Sequence, residues 1–356
     1  MAVKMKKLLF LFCILLGLVS CGTKTESPTE KTPIEETGKT ESPVETPTEQ
    51  PVDDGVNYFI STTGKPLLCA HRGGSYSNPE NTLKAFKYAV LECQADILES
   101  DLWLTKDGHL VLLHDGTLDR TSDAVEYFKG SSLTPGSYSL AELKELNFGA
   151  KFTATNGTKP YANILKDIID KEQRKQIVAE NDLSIITIEE LLDYFYADYK
   201  NLLFVFEIKN TGAKGNEAAD ALAKVLAKYP DYARRVCVGT FNDQVEAYLK
   251  SKYPHIITGA STAKANTFVK DVLLNNSVKE SYEFDCLQIP ITYTFNGSNV
   301  DLVNKVLIDA AHSKNISVQY WTINDRATMQ KLVTSNCDVI MTDYPDILRE
   351  ILNASN

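Results

Sequence analysis

The chain has 356 residues, 43% hydrophobic and 24% charged, which is enough apolar content for one large domain or two modest ones. Its formal net charge of -10 excludes a globally cationic nucleic-acid binder, and no Lys/Arg run outside the extreme N-terminus supplies a local basic patch. An anionic ligand therefore needs a site that gathers its own cations.

The N-terminus reads MAVKMKKLLFLFCILLGLVSC. Lys4, Lys6 and Lys7 form a positive start, and Leu8 to Val19 is an apolar run too short to span a bilayer comfortably. The end of the run, Leu18-Val19-Ser20-Cys21, resembles the lipobox of a bacterial lipoprotein, in which the cysteine carries the lipid. A plain signal peptide with an incidental Cys21 is the competing reading. Residues 22–55 are built from Thr, Ser, Pro, Glu and Lys and bury too little to offset the entropy of ordering, so a flexible tether is expected there. Export and a lipid anchor to a bacterial membrane follow as expectations, with one folded domain over 56–356.

From residue 57 onward short β-rich runs alternate with helical patterns. Strands are predicted at 67–71, 96–103, 202–208, 235–240, 255–259, 284–289, 316–321 and 338–342. Helices are predicted near 80–92, 188–199, 216–228, 242–251, 264–275, 300–313, 325–334 and 345–352. Eight strands alternating with helices predict an α/β fold, a closed (β/α)8 TIM barrel. The late third strand leaves an insertion over 104–187, with a hairpin over 109–115, a short helix at 139–146 and a less regular span of 147–186. That insertion is expected either to wall the active site or to decorate the surface. Beyond the leader, Cys69, Cys93, Cys237, Cys286 and Cys337 include no Cys-x-x-Cys pair, and buried free thiols are expected.

Two of the five histidines have unusual settings. His71 ends the first predicted strand in His71-Arg72-Gly73-Gly74, and His114 ends the hairpin before Asp115. Glu99 and Asp101 lie two apart on the second strand, so they share one face near its C-terminal end. In Phe204-Val205-Phe206-Glu207-Ile208-Lys209 a carboxylate and an amine interrupt an apolar run on one face of the third strand. Charged groups inside a barrel are costly unless paired or metal-bound. Pairing with Arg72 satisfies that constraint without catalysis. Three carboxylates meeting at one rim instead favour a hard divalent cation, Ca²⁺ or Mg²⁺.

The run of motifs is Ala70-His71-Arg72-Gly73-Gly74, Asn78-Pro79-Glu80-Asn81-Thr82, Asp96-x-x-Glu99-x-Asp101, Thr105-Lys106-Asp107-Gly108 and His114-Asp115. Leu118-Asp119-Arg120-Thr121, Thr187-Ile188-Glu189-Glu190, Glu207-Ile208-Lys209, Trp321-Thr322-Ile323-Asn324 and Thr342-Asp343-Tyr344-Pro345 follow in order. Together, from about 67 to 350, they resemble the glycerophosphodiester phosphodiesterase family. The resemblance implies His71 and His114 as the catalytic pair, with the base and acid roles open between them. It also implies Glu99, Asp101 and Glu207 as ligands of one Ca²⁺ or Mg²⁺, with Glu80 ranked below them because Glu80-Asn81 can instead cap a helix. Arg72 and Lys209 match phosphate-binding groups, and Trp321 matches an aromatic near the substrate, with plain barrel packing as its alternative. The implied reaction releases glycerol 3-phosphate and an alcohol through a cyclic phosphate. A phospholipase D-like or glycerophosphate-polymer activity is the runner-up, and a non-catalytic binding lipoprotein a more distant one. The expected partners are a small or lipid-derived diester and the membrane, not nucleic acid. Cys337-Asp338-Val339-Ile340 and the long polar 147–186 span depart from the family pattern, and both bear on substrate identity.

Overall fold

The structure, a computed structural model, describes residues 54–295 and 297–355. The leader, Cys21 and the tether up to residue 53 lie outside the described residues.

Eight parallel strands form the barrel: strand 1 Leu67–Ala70, strand 2 Ile97–Leu104, strand 3 Leu203–Ile208 and strand 4 Val236–Gly239. Strand 5 Ile257–Thr258, strand 6 Cys286–Ile289, strand 7 Ser317–Tyr320 and strand 8 Val339–Thr342 follow. Each pairs with the next, strand 8 pairs with strand 1, and a parallel bridge between Gly259 and Cys286 joins strands 5 and 6. All eight lie within the ranges expected from sequence, apart from the last residue of strand 2.

The period of two sorts the strand residues into two cores. Leu68, Leu98, Phe204, Phe206, Val238, Leu287 and Ile340 point outward into the layer of helices. Cys69, Ile97, Leu203, Val205, Cys237, Cys286 and Met341 pack inside the barrel, where Phe59 joins them, fully buried. The five cysteines beyond the leader are all buried and free. The inward stripe of strand 2 runs Ile97, Glu99, Asp101, and that of strand 3 runs Leu203, Val205, Glu207. Both stripes change from apolar to charged toward the C-terminal rim.

The insertion has its own small core, in which Val111, Leu113, Leu143, Leu146, Phe148 and Ile185 pack together. Its first strand, Leu110–Leu112, pairs antiparallel with Leu102–Leu104, so the hairpin uses an extension of strand 2 rather than residues 109–115 alone. Within the insertion Leu140–Leu143 begins at a capping box of Ser139 and Glu142, and Lys171–Glu180 is helical. The expected helix over 300–313 is shorter than anticipated. Ser298–Asp301 pairs with Thr292–Phe295 as a two-stranded hairpin, and the helix spans Lys305–His312, capped by Asn304. Alternating β-branched and aromatic residues before Asn296-Gly297 carry that hairpin signal.

Candidate active site

The turn after strand 1 is shaped by two glycines. Gly73 has φ of 82°, and a Cβ there would lie 2.8 Å from the Ala85 Cβ; Gly74 has φ of 89°, and its Cβ would meet Pro345 at 2.7 Å. Only a residue without a Cβ lets this turn pass so close to the helix Leu83–Leu91. Arg72 itself is left-handed at φ 52°, a sparsely populated conformation for a residue with a side chain. That turn directs the Arg72 N–H to the Glu99 carboxylate at 2.9 Å and puts its guanidinium 3.4 Å from Asp101 and 3.3 Å from Glu80.

Parallel register then assembles the carboxylates. Asp101 is paired with Glu207, and Glu99 with Val205 two residues before it. Glu99 and Asp101 are 4% and 1% exposed. Lys209 reaches back to Glu207 at 2.7 Å and to Asp101 at 3.1 Å, and the Asn81 amide donates to Asp101 at 3.1 Å. Burial, and then the neighbouring Asp101 charge, push the Glu99 carboxyl far above the usual carboxylate range. Asp101 is lowered despite burial, because Lys209 and Arg72 favour its charged form. Glu207 is raised by burial, against the pull of Lys209.

His71 donates from Nδ1 to Asp343 at 2.6 Å, and its Nε2 lies 3.9 Å from Glu99. Burial opposes the imidazolium, but Glu99 and the Asp343 hydrogen bond outweigh it and raise the His71 pKa. Asp343 also accepts from Ser75 and Asn324, each at 2.6 Å, and its carboxyl is held at about 2 against burial by the hydrogen bond from His71. His114 arrives from the insertion. Its Nδ1 is 2.8 Å from Asp115, which Arg120 grips in turn.

A cavity of about 130 Å³ opens at the C-terminal rim. His71, Arg72, Glu99, Asp101, His114, Glu207, Lys209 and Trp321 all line it. Glu80 is not among its lining residues. Its carboxylate is engaged by Arg120 at 2.7 and 2.8 Å and by Arg72, while the helix cap is Thr82, whose hydroxyl accepts from Ala85. No residue of 147–186 lines the cavity either, so the insertion's contribution is His114 at its near end. Trp321 packs edge-on to Phe241, with ring centroids 5.7 Å apart.

Asp343, Asn81 and Phe241 were not singled out from sequence as site residues. Asp343 was visible as the residue after the last strand, and Asn81 within Asn-Pro-Glu-Asn-Thr. Phe241 carries no local signal.

Two imidazoles, three carboxylates and two cationic side chains thus share one cavity at the C-terminal rim of the barrel. The chain belongs to the glycerophosphoryl diester phosphodiesterase family, whose pattern matches residues 71–347. It is 26% identical over 284 residues to a glycerophosphodiester phosphodiesterase of Caldanaerobacter subterraneus subsp. tengcongensis, covering 80% of this chain and 96% of that relative. The fold is shared with the glycerophosphoryl diester phosphodiesterase domain of an uncharacterized Mycobacterium tuberculosis protein, at TM-score 0.62 and 18% identity, covering 80% and 98% of the two chains. An Oleispira antarctica phosphodiesterase solved with the product sn-glycerol-3-phosphate aligns at TM-score 0.55 and 24% identity, over 81% of this chain and 97% of that one. The chain is thus an enzyme, a phosphodiesterase of the glycerophosphodiester-hydrolysing type.

Proposed function

We propose that this enzyme converts a glycerophosphodiester to glycerol 3-phosphate and an alcohol, with His71 and His114 exchanging protons across the scissile phosphate. The observation that carries the reading is the shared cavity: both imidazoles face it together with Arg72, Lys209 and the carboxylates of strands 2 and 3. One histidine removes the proton of the glycerol 2-hydroxyl as that oxygen bonds to phosphorus. The bond from phosphorus to the alcohol breaks, and the other histidine protonates the departing oxygen. Water then opens the cyclic phosphate by the reverse exchange. Imidazole suits both roles because its unperturbed pKa lies near neutrality. Arg72 and Lys209 balance the phosphate's charge, and Asp343 keeps the His71 Nδ1 protonated so that Nε2 faces the cavity.

The donor chemistry fits a hard divalent cation: three carboxylates and no thiolate line the cavity wall, and buried Glu99 lacks enough positive charge to ionise easily. Among the described residues, no group of three or more His, Cys, Asp or Glu is arranged to hold a metal ion. Lys209 stands between Asp101 and Glu207. With that Lys209 bridge displaced, Glu99, Asp101 and Glu207 are the residues that would hold Ca²⁺ or Mg²⁺, while Glu80 is tied to Arg120. Such an ion supplies Lewis-acid stabilisation of phosphate charge when bound. Upstream, the leader pattern supports export and lipidation at Cys21, with residues 22–55 as a spacer from a bacterial membrane.

The test is release of glycerol 3-phosphate from glycerophosphocholine by the full-length chain, with Ca²⁺ or Mg²⁺ and then with chelator. Release that chelator stops, that added cation restores and that His71→Ala abolishes is the expected result. Undiminished release by His71→Ala, or full activity in chelator, would overturn the histidine or the metal assignment respectively.

A further inference from the structure

Leu118-Asp119-Arg120-Thr121 takes no part in the proton exchange or in balancing the phosphate's charge. Its side chains face two ways. Leu118 is fully buried in the insertion's core, and Asp119 accepts from the Ser132 and Leu133 N–H groups at 2.7 and 3.1 Å, so both fasten this loop to the insertion. Arg120 turns toward the barrel. Its Nε and Nη2 donate to the two Asp115 oxygens at 2.6 and 3.1 Å, and its Nη1 and Nη2 donate to the two Glu80 oxygens at 2.7 and 2.8 Å. Both edges of the guanidinium are taken by carboxylates, although the side chain is 47% exposed and water is at hand.

We infer that Arg120 is a positioning residue: it holds Asp115 so that His114 presents Nε2 to the scissile phosphate, and Glu80 is its seat on the barrel. The inference rests on the reading above in which His114 exchanges a proton at the phosphate. The Asp115 carboxyl is held at about 2, first by the Arg120 hydrogen bonds, so near neutral pH it only accepts. His114 therefore donates from Nδ1, 2.8 Å away, which leaves Nε2 for the cavity that His114 lines. Asp343 does the same for His71, and there Ser75 and Asn324 fix the carboxylate. Asp115 has Arg120 in their place; with Arg120 removed, this 29% exposed carboxylate is free to turn to water. Glu80 accepts from Arg72 as well, at 3.3 Å, and so ties the insertion's loop to the turn that carries His71 and Arg72. A lysine cannot replace Arg120, because one ammonium does not lie edge-on to two carboxylates. Arg120 does not line the cavity, so its effect on turnover passes through His114.

The test measures glycerophosphocholine turnover by the full-length chain and, with isotope-labelled histidine, the tautomer of His114 by NMR. The chain has five histidines, and His114 is assigned by the signal that His114→Ala removes. Arg120→Gln should lower kcat by about ten- to a hundredfold, the cost of displacing a reacting group by about an ångström or less, and leave KM within about threefold. The neutral His114 ring should shift from Nδ1–H toward Nε2–H. Arg120→Lys should lose nearly as much activity. Guanidinium ion at a non-denaturing concentration should restore Arg120→Ala, so a poorly folded glutamine variant does not decide the matter. In an Asp115→Asn background, Arg120→Gln should cost less than about threefold more. A kcat for Arg120→Gln within about threefold of wild type, beside an inactive His114→Ala, overturns the positioning role and leaves the histidine reading standing. A loss of kcat with the His114 tautomer unchanged overturns it too, as does a loss that Asp115→Asn does not diminish. Turnover by His114→Ala at the wild-type rate overturns both.

Discussion

Asp343→Asn isolates the group that orients His71. The carboxylate accepts from His71 Nδ1 at 2.6 Å, and its other contacts, Ser75 and Asn324, are donors as well. An asparagine at this position cannot meet three donors with one carbonyl oxygen. If its NH2 turns to Asn324, two amide donors face each other. If it turns to His71, it offers a proton where one is already held, and the imidazole must adopt the tautomer with Nε2 protonated. Whichever role His71 plays, it passes through an imidazolium whose Nδ1–H needs this acceptor. A hydrogen bond to a charged group is worth about 1.5–3 kcal/mol, which at about 1.36 kcal/mol per decade is about 10- to 150-fold in kcat. The tautomer penalty adds to that loss. KM should change little, because Asp343 is not among the residues lining the cavity. The assay is steady-state release of glycerol 3-phosphate, with Ser75→Ala as a companion that removes one neighbouring contact but keeps the charge and stays within about fivefold. Asp343→Asn with a kcat within threefold of wild type, alongside an inactive His71→Ala, would refute the orienting role.

His312 tests the electrostatics away from the site. Its Nε2 is 2.9 Å from buried Asp338, and that hydrogen bond raises its pKa in the folded chain against the cost of burial. A raised folded pKa contributes stability that is fully present below the unfolded value of about 6.5 and is lost as pH rises through the folded value. The stability gap between wild type and His312→Gln, from urea denaturation, should therefore be widest near pH 5.5 and narrow as pH increases; a gap that widens with pH would contradict the assignment. For the leader, cells fed labelled palmitate should incorporate label into the wild-type chain and not into Cys21→Ser. Label retained by Cys21→Ser would place the lipid elsewhere or remove it from the account.

Much of the barrel was legible because it depends on short-range geometry. A strand's side chains alternate faces whatever they pack against, so the order of apolar runs predicts strands 1 to 8. The same alternation puts Glu99 with Asp101, and Glu207 with the inward residues of strand 3. Local pattern was weakest where two local solutions compete: the stretch around 300 reads as the start of a helix until its pairing with Thr292–Phe295 is known. Sequence left open whether Glu80-Asn81 caps the following helix; in the structure Thr82 is the cap, while Glu80 is held by Arg120 and Arg72 and Asn81 donates to Asp101.

What the sequence by itself determined is the barrel's strands and the helices between them, the reactive residue types and the face each strand residue takes. The tertiary structure decided which of them meet. Asp343 reaches His71 from the far end of the chain because strand 8 pairs with strand 1 and closes the ring. His114 enters the cavity because the insertion packs its own core against strand 2. The physical reason is the same in each case. Periodicity is set by backbone sterics within a few residues, whereas a contact across hundreds of residues is set by strand register and barrel closure, which no local pattern encodes.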